Sequence, residues 1–189
     1  MHNTKQILLA RNAMATRFEL VLVGDDEKYL RAAGEEALNE IERIESRISP
    51  FKPESEISLI NQNATIHSVR VSIETFNLLK IAKEIWQNTK GAFDITVGPL
   101  IKLWGVHGNS ANTPPPESIE KIKQICGMHL VELDEKNSTV KFLKEGVRID
   151  LGAIGKGYAI DQAIMILKEA QITSAFIHGG TSSAAAIRS

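Results

Sequence analysis

The sequence lacks features that would assign it to several common classes of protein. Cys126 is the only cysteine, which excludes an internal disulfide and leaves a cysteine-based zinc site without its partners. Lys and Arg number 22 and Asp and Glu 23, so the net charge of −1 provides no electrostatic footprint for nucleic acid or an anionic membrane. No run approaches the ~20 apolar residues of a membrane-spanning helix. We therefore predict a globular protein with neither nucleic-acid partners nor a transmembrane segment.

The N-terminal residues show no export signal. The apolar run at residues 7–10 is too short for a signal core, and no lipid-attachment cysteine is present. As written, the chain is expected to be cytoplasmic, or to have lost an export signal. Its 189 residues suffice for one domain with a real core or for two very small ones, and we predict a single domain over residues 1–189.

The densest cluster of glycines lies at residues 148–161, RIDLGAIGKGYAID. A short apolar run ends on Asp150, and the glycines and Lys156 follow before a helical pattern begins. A strand, a Gly-rich turn and a helix start allow backbone N–H groups to approach a phosphate. Asp150 could hold a metal or a ligand hydroxyl, and Lys156 would add a positive charge. Neither a Walker A loop nor the dinucleotide fingerprint is present. On this stretch alone, a plain turn with solvated side chains is somewhat favoured.

Hydrophobic periodicity predicts the other elements. Alternation predicts a strand at residues 14–23, and an apolar repeat every three or four residues from Leu30 to Ile48 predicts a helix lying on a sheet. Residues 49–61 form a polar, proline-containing stretch that predicts a loop. Ser72 is predicted to cap a later helix, which ends near Gly91. Shorter patterns predict strands at residues 65–71, 130–133, 139–143, 147–150, 175–178 and 184–187, and helices at residues 117–125 and 154–170.

Two residues outside the Gly-rich stretch are candidates for ligand contact. Phe51 lies in the polar loop, where an aromatic ring is either a core plug, favoured about two to one, or a stacking surface for a planar ligand. Asp94 lies in an apolar run, and a buried acid is costly unless it is paired, hydrogen-bonded or bound to a ligand. Asp94 could cap the short helix that follows, or accept hydrogen bonds from a ligand.

Five stretches, taken in order, resemble the FAD:protein FMN transferases of the ApbE family. They are residues 13–16 (AMAT), 49–61 (SPFKPESEISLIN), 91–105 (GAFDITVGPLIKLWG), 150–161 (DLGAIGKGYAID) and the glycine pair 179–180. Their order and spacing match from about residue 11 to the end of the chain. The resemblance implies an α+β fold, similar to the T-fold, in which antiparallel sheets are flanked by helices and FAD binds in a cleft.

The resemblance also implies a reaction. Such a transferase uses Mg²⁺ to cleave the pyrophosphate of FAD, transfers FMN to a threonine hydroxyl of a target flavoprotein and releases AMP. This chemistry needs charge neutralisation and an in-line nucleophile. Two alternatives remain open: an FAD-binding module without catalysis, and a Mg²⁺-dependent FAD pyrophosphatase with water as acceptor. The family is often exported or anchored by a lipoprotein signal, which is not seen here.

Position by position, the resemblance assigns nucleotide contacts and one metal contact. The expected FAD-contacting residues are Met14, Phe51, Ala92, Phe93, Asp94, Asp150 and Lys156, and the expected metal ligand is the backbone oxygen of Ala153. Ala15 stands where the family usually has glycine, and Phe51 where tyrosine is common. The family's other metal ligands and a catalytic histidine segment lie far C-terminal to Gly180, so catalytic residues are not assigned. We expect the C-terminal part to be missing and this chain alone to be weakly active or inactive.

Overall fold

The computed structural model describes residues 4–106 and 113–188, which form two compact units. The first unit combines the segment up to Ser46 with the segment from Ile154, and the second is Arg47–Ala153. The strands are β1 (Lys5–Ala13), β2 (Thr16–Gly24), β3 (Val69–Arg70), β4 (Val131–Asp134), β5 (Thr139–Phe142), β6 (Ala175–Gly179) and β7 (Ser183–Ile187). The helices are α1 (Glu27–Ile48), α2 (Glu56–Asn63), α3 (Ile73–Asn88), α4 (Gly98–Leu103), α5 (Pro116–Lys123) and α6 (Gly155–Glu169), with a 3₁₀ turn at Met128–Leu130.

The first unit contains a four-stranded sheet with the order β1-β2-β6-β7. All of its neighbouring strands are antiparallel, and Leu20 in β2 lies opposite both Leu9 and Ile177. These three side chains are buried. Helix α1 packs on the sheet at Gly34, where an added Cβ would lie 2.5 Å from Leu9 Cδ1 and 3.4 Å from Leu20 Cδ2. The predicted amphipathic helix on a sheet is therefore confirmed, and its buried stripe comprises Leu30, Ala33, Ala37, Ile41, Ile44 and Ile48.

Strand β1 was not predicted from sequence periodicity. Its register with β2 runs from Lys5 opposite Gly24 to Ala13 opposite Thr16. Leu8 is exposed, whereas Ile7 and Leu9 on either side are buried. Apolar residues therefore occupy both faces at this point, and the alternation that marks a half-buried strand is hidden.

The second unit contains a three-stranded antiparallel sheet with the order β3-β5-β4. The predicted β4–β5 hairpin is confirmed, and Asp134 organises its turn by accepting hydrogen bonds from the backbone of Lys136 and the side chain of Asn137. The Asn137 bond holds the pKa of Asp134 below its usual range. The predicted cap of α3 is also confirmed, since Ser72 Oγ accepts from Thr75 N at 3.3 Å.

Two local predictions for the second unit were wrong. The segment predicted as a strand at residues 147–150 makes only an isolated parallel bridge, between Arg148 and Val97. Part of the loop predicted at residues 49–61 is helical, because Ser55 accepts from Ser58 N at 3.0 Å and begins α2. Together the two sheets and their helices confirm the α+β class. Within the described ranges, none of the helices has the length and apolar character needed to cross a membrane.

Candidate functional site

A cleft of about 500 Å³ opens in the second unit. Its lining combines an aromatic ring, two cationic side chains, a carboxylate and glycine backbone, from Pro50, Phe51, Asn61, Gly98, Ile101, Lys102, Gly105, Arg148, Ile149 and Asp150. Phe51 is 68% exposed, so the interpretation of this residue as a core plug was wrong. An exposed ring beside cations and an acid is a surface suited to a planar, anionic ligand.

Asn61, in the C-terminal half of α2, fixes the position of the segment around Ile149 that lines the cleft. Its side-chain Nδ2 donates to Ile149 O at 2.9 Å, and its Oδ1 accepts from Ile149 N at 2.7 Å. Ile149 is buried, and its neighbours Arg148 and Asp150 line the cleft. Asn61 therefore holds the segment that carries both charged side chains.

Gly98 brings α4 close to the same segment. A Cβ at this position would lie 3.0 Å from Arg148 O and 3.1 Å from Arg148 Cβ. Glycine removes that crowding, and Val97 then forms its parallel bridge with Arg148. Lys102, in the last turn of α4, reaches the cleft from this helix. The two cations thus come from separate chain segments that meet at a glycine.

Asp150 lies at the point where the extended segment turns toward α6. Its backbone N–H donates to Ile95 O at 2.8 Å, and its Oδ1 accepts from Gly152 N at 2.7 Å. This short-range bond orients the carboxylate through the turn that follows. Ala153, the predicted metal contact, lies exposed in the same turn.

The segment predicted to line the adenine end, Ala92 to Asp94, lies in the loop before α4. Asp94 Oδ1 accepts from Thr96 N at 2.7 Å and from Thr96 Oγ1 at 2.6 Å. The N-cap of α4 is Val97, without a side-chain cap bond, so the interpretation of Asp94 as a helix cap was wrong. The described residues that line the cleft do not include Ala92, Phe93 or Asp94.

Asp94 also affects the pKa of Cys126, another residue of the second unit. Burial, and secondarily the negative charge of Asp94, raise the pKa of the Cys126 thiol. The thiol therefore stays protonated at neutral pH, and Cys126 is a poor nucleophile in this environment.

Met14 and Lys156 belong to the first unit. Met14 is the first residue of the two-residue turn between β1 and β2, and its N–H donates to Glu45 Oε1 at 2.6 Å. A cavity of about 430 Å³ beside this turn is lined by Asn12, Ala13, Ala15, Thr16 and Glu45. Lys156 is the second residue of α6 and is half-buried. Of these two predicted residues, Met14 therefore lies in the β1–β2 turn and Lys156 in the first turn of α6.

Several residues of the clefts were not predicted as ligand contacts. Arg148 carried a usable signal, because residues two apart in an extended segment share a face, and Asp150 was already a candidate. Lys102 follows the Gly98-Pro99 helix start by one turn. Asn61 closes the motif stretch at residues 49–61, but its pairing with Ile149 and that of Glu45 with Met14 carried no signal, since each pair is distant in the sequence.

Two antiparallel sheets flanked by helices define an α+β protein, whose second unit carries an aromatic and cationic cleft. The ApbE family model matches residues 14–186. The chain belongs to the ApbE family.

Similar proteins agree with this assignment. The FAD:protein FMN transferase of Klebsiella pneumoniae is 35% identical over 142 residues, covering 74% of this chain and 44% of that protein. The crystal structure of the ApbE protein of Thermotoga maritima matches with a TM-score of 0.86 and 34% identity, over 93% of this chain and 57% of that one. The flavin transferase ApbE of Vibrio cholerae matches with a TM-score of 0.78 and 26% identity, over the same shares. The chain spans about half the length of the curated relatives it matches.

Proposed function

We propose that this chain forms the FAD-binding part of an FAD:protein FMN transferase. In the proposed reaction, a threonine hydroxyl of a target flavoprotein attacks the FMN phosphorus of FAD. The pyrophosphate P–O bond breaks, AMP leaves with the bridging oxygen, and the hydroxyl proton passes to a base that we assign to no residue of this chain. The membership of the ApbE family and the names of its relatives support this proposal.

The observation that carries the proposal is the composition of the second unit's cleft. FAD carries two planar aromatic ring systems, joined through a ribityl chain, a doubly charged pyrophosphate and a ribose. The exposed Phe51 ring offers a stacking surface, and Lys102 and Arg148 offer charges that would offset the pyrophosphate. Asp150 would accept hydrogen bonds from ligand hydroxyls.

The remaining predicted contacts stay part of the proposal. Met14 and Lys156 in the first unit, and Ala92, Phe93 and Asp94 in the second, are proposed to contact FAD on the strength of the family motifs they occupy. The same motifs are the reason to treat residues 1–189 as one functional domain, although they fold as two compact units.

The proposed metal is Mg²⁺, with the backbone oxygen of Ala153 as one ligand. Among the residues that the structure describes, no three His, Cys, Asp or Glu side chains converge to hold a metal ion. Mg²⁺ commonly keeps one or two protein ligands and takes the others from phosphate and water, so a backbone oxygen of Ala153, an exposed residue in the turn that follows Asp150, is compatible with such a site. When bound, the ion would neutralise charge on the pyrophosphate.

Calorimetric titration of FAD, with and without Mg²⁺, tests this proposal. We expect Phe51→Ala to weaken FAD binding at least about tenfold, because stacked aromatic contact is lost, and Phe51→Tyr to preserve it. Phe176→Ala is the matched control, since Phe176 is 45% exposed on β6 of the first unit and belongs to neither cleft. A folded chain that does not bind FAD would overturn the proposal.

Product analysis separates the transferase from other uses of the same site. We expect at most slow formation of AMP and of protein-bound FMN when the chain is incubated with FAD, Mg²⁺ and a candidate flavoprotein, because the base that takes the hydroxyl proton is assigned to no residue of this chain. Free FMN would identify water as the acceptor, and FAD recovered intact would support binding without catalysis. Circular dichroism establishes in each case that the variant is folded.

A further inference from the structure

The turn between β1 and β2 has an unusual backbone. Met14 has φ 50° and Ala15 has φ 55°, so both central residues are left-handed although neither is glycine. Two-residue hairpin turns of this kind favour Asn-Gly, because side chains at both positions crowd the backbone. Such sparsely populated conformations persist only where the surrounding structure holds them.

Glu45 of α1 supplies a bond that holds this turn. Its Oε1 accepts from the backbone N–H of Met14 at 2.6 Å, across 31 residues of sequence. A hydrogen bond to a carboxylate is stronger than one between neutral groups. Helix α1 is anchored to the sheet at Gly34, so the carboxylate is presented from a rigid element. Glu45 also lines the cavity beside the turn, together with Asn12 and Thr16.

We propose that Glu45 is a positioning residue for flavin binding, which it promotes by holding the strained turn so that Met14 is preset for contact with the nucleotide. This inference rests on the proposed function. Without the Glu45 bond, the turn samples other conformations, and ligand affinity falls by the fraction of chains that keep the binding conformation. Ala15 makes the turn depend more strongly on Glu45, because alanine incurs a steric penalty for its left-handed φ that glycine at this position would avoid.

The test measures the Kd for FAD in the wild-type chain and in variants of this pair. Glu45→Ala should weaken binding about tenfold or more, whereas Glu45→Gln should stay within about threefold of wild type because its amide oxygen still accepts from Met14. Ala15→Gly should largely restore binding in the Glu45→Ala background. The matched control is Glu35→Ala, which removes another α1 carboxylate, bonded to Arg11 of β1 at 2.7 Å, without touching the turn.

The outcomes separate positioning from simple stabilisation. Thermal melts accompany each titration. If Ala15→Gly restores the melting temperature of Glu45→Ala but not its FAD affinity, or if Glu35→Ala weakens binding as much as Glu45→Ala, the positioning role is overturned. Equal binding by wild type and Glu45→Ala overturns it while leaving the proposed function intact. Absence of FAD binding by the folded wild-type chain overturns both.

Discussion

Asn61 occupies the place of a strand partner for Ile149, 88 residues later in the chain. Its amide donates to Ile149 O at 2.9 Å and accepts from Ile149 N at 2.7 Å, as a paired strand would. A single side chain therefore satisfies both polar groups of a buried residue. Arg148 and Asp150 are held on either side of that residue, at the cleft.

Replacement of Asn61 tests this bond pair. Asn61→Asp keeps the shape of the side chain but turns the Nδ2 donor into an oxygen facing Ile149 O, so we expect a loss of about 1–3 kcal/mol in the free energy of unfolding and weaker FAD binding. Urea denaturation measures the former. Asn63→Asp is the control, because Asn63 Nδ2 makes an exposed bond to Leu59 O in the same helix. Equal losses in the two variants would contradict the assigned role.

Thr96 joins the loop of Asp94 to Gly127. Its hydroxyl donates to Asp94 Oδ1 and accepts from Gly127 N, and Thr96 is fully buried. Thr96→Val keeps the volume but leaves the Gly127 N–H without its partner, and we expect the free energy of unfolding to fall by about 1–3 kcal/mol. Thr96→Ser keeps the hydroxyl, and its loss of free energy of unfolding should be less than half that of Thr96→Val. Equal losses for the two variants in denaturant melts would refute this assignment.

Alanine substitution at two helical glycines, Gly34 and Gly157, should change the stability of the protein differently. At either position, alanine improves helix propensity by roughly 1 kcal/mol. At Gly34 the new Cβ would lie 2.5 Å from Leu9 Cδ1 and 2.9 Å from Leu22 Cδ1, whereas at Gly157 no atom lies within 4 Å. Overpacking costs about 1–3 kcal/mol, so Gly34→Ala should be at least about 1 kcal/mol less stable than Gly157→Ala. Calorimetric melts that rank the variants in the reverse order would show that α1 does not pack closely at Gly34.

The reactivity of Cys126 should respond to Asp94. Burial is the larger cause of its raised pKa and the charge of Asp94 the smaller, so the thiolate fraction at pH 8 is depressed in the native chain. Asp94→Asn removes the charge, lowers the pKa toward its ordinary value and should raise the rate of iodoacetamide alkylation, by less than about tenfold since burial remains. Asp150→Asn, which is not a cause of the shift, is the control. An unchanged rate in Asp94→Asn would disprove the coupling.

Sequence patterns correctly predicted the elements that are set by residues close to one another in the chain. The stripe from Leu30 to Ile48 defines one helical face, Ser72 caps α3 through its own neighbour Thr75, and Asp134 closes a hairpin within its own turn. In each case the decisive contacts lie within a few residues, which is the range over which periodicity and capping rules operate.

The failures have two causes: a distant residue that takes the hydrogen bonds of a segment, and an exposed apolar side chain where burial was expected. Residues 147–150 have the composition of a strand, but Asn61 takes the hydrogen bonds of Ile149 and a ladder does not form. Strand β1 was missed because Leu8 is exposed between the buried Ile7 and Leu9. Phe51 was favoured as a core plug on the general tendency of aromatic rings to be buried, whereas in this chain it is 68% exposed.

The sequence by itself determined the positions of most helices and strands, through periodicity and capping, and the ApbE family, through motifs in a fixed order. The α+β class followed from the resemblance to that family. Only the tertiary structure decided that Phe51, Lys102, Arg148 and Asp150 share one cleft, and that Glu45 holds the backbone of Met14. The physical reason is that a site is assembled by contacts between segments far apart in the chain. Spacing along a sequence does not encode such contacts.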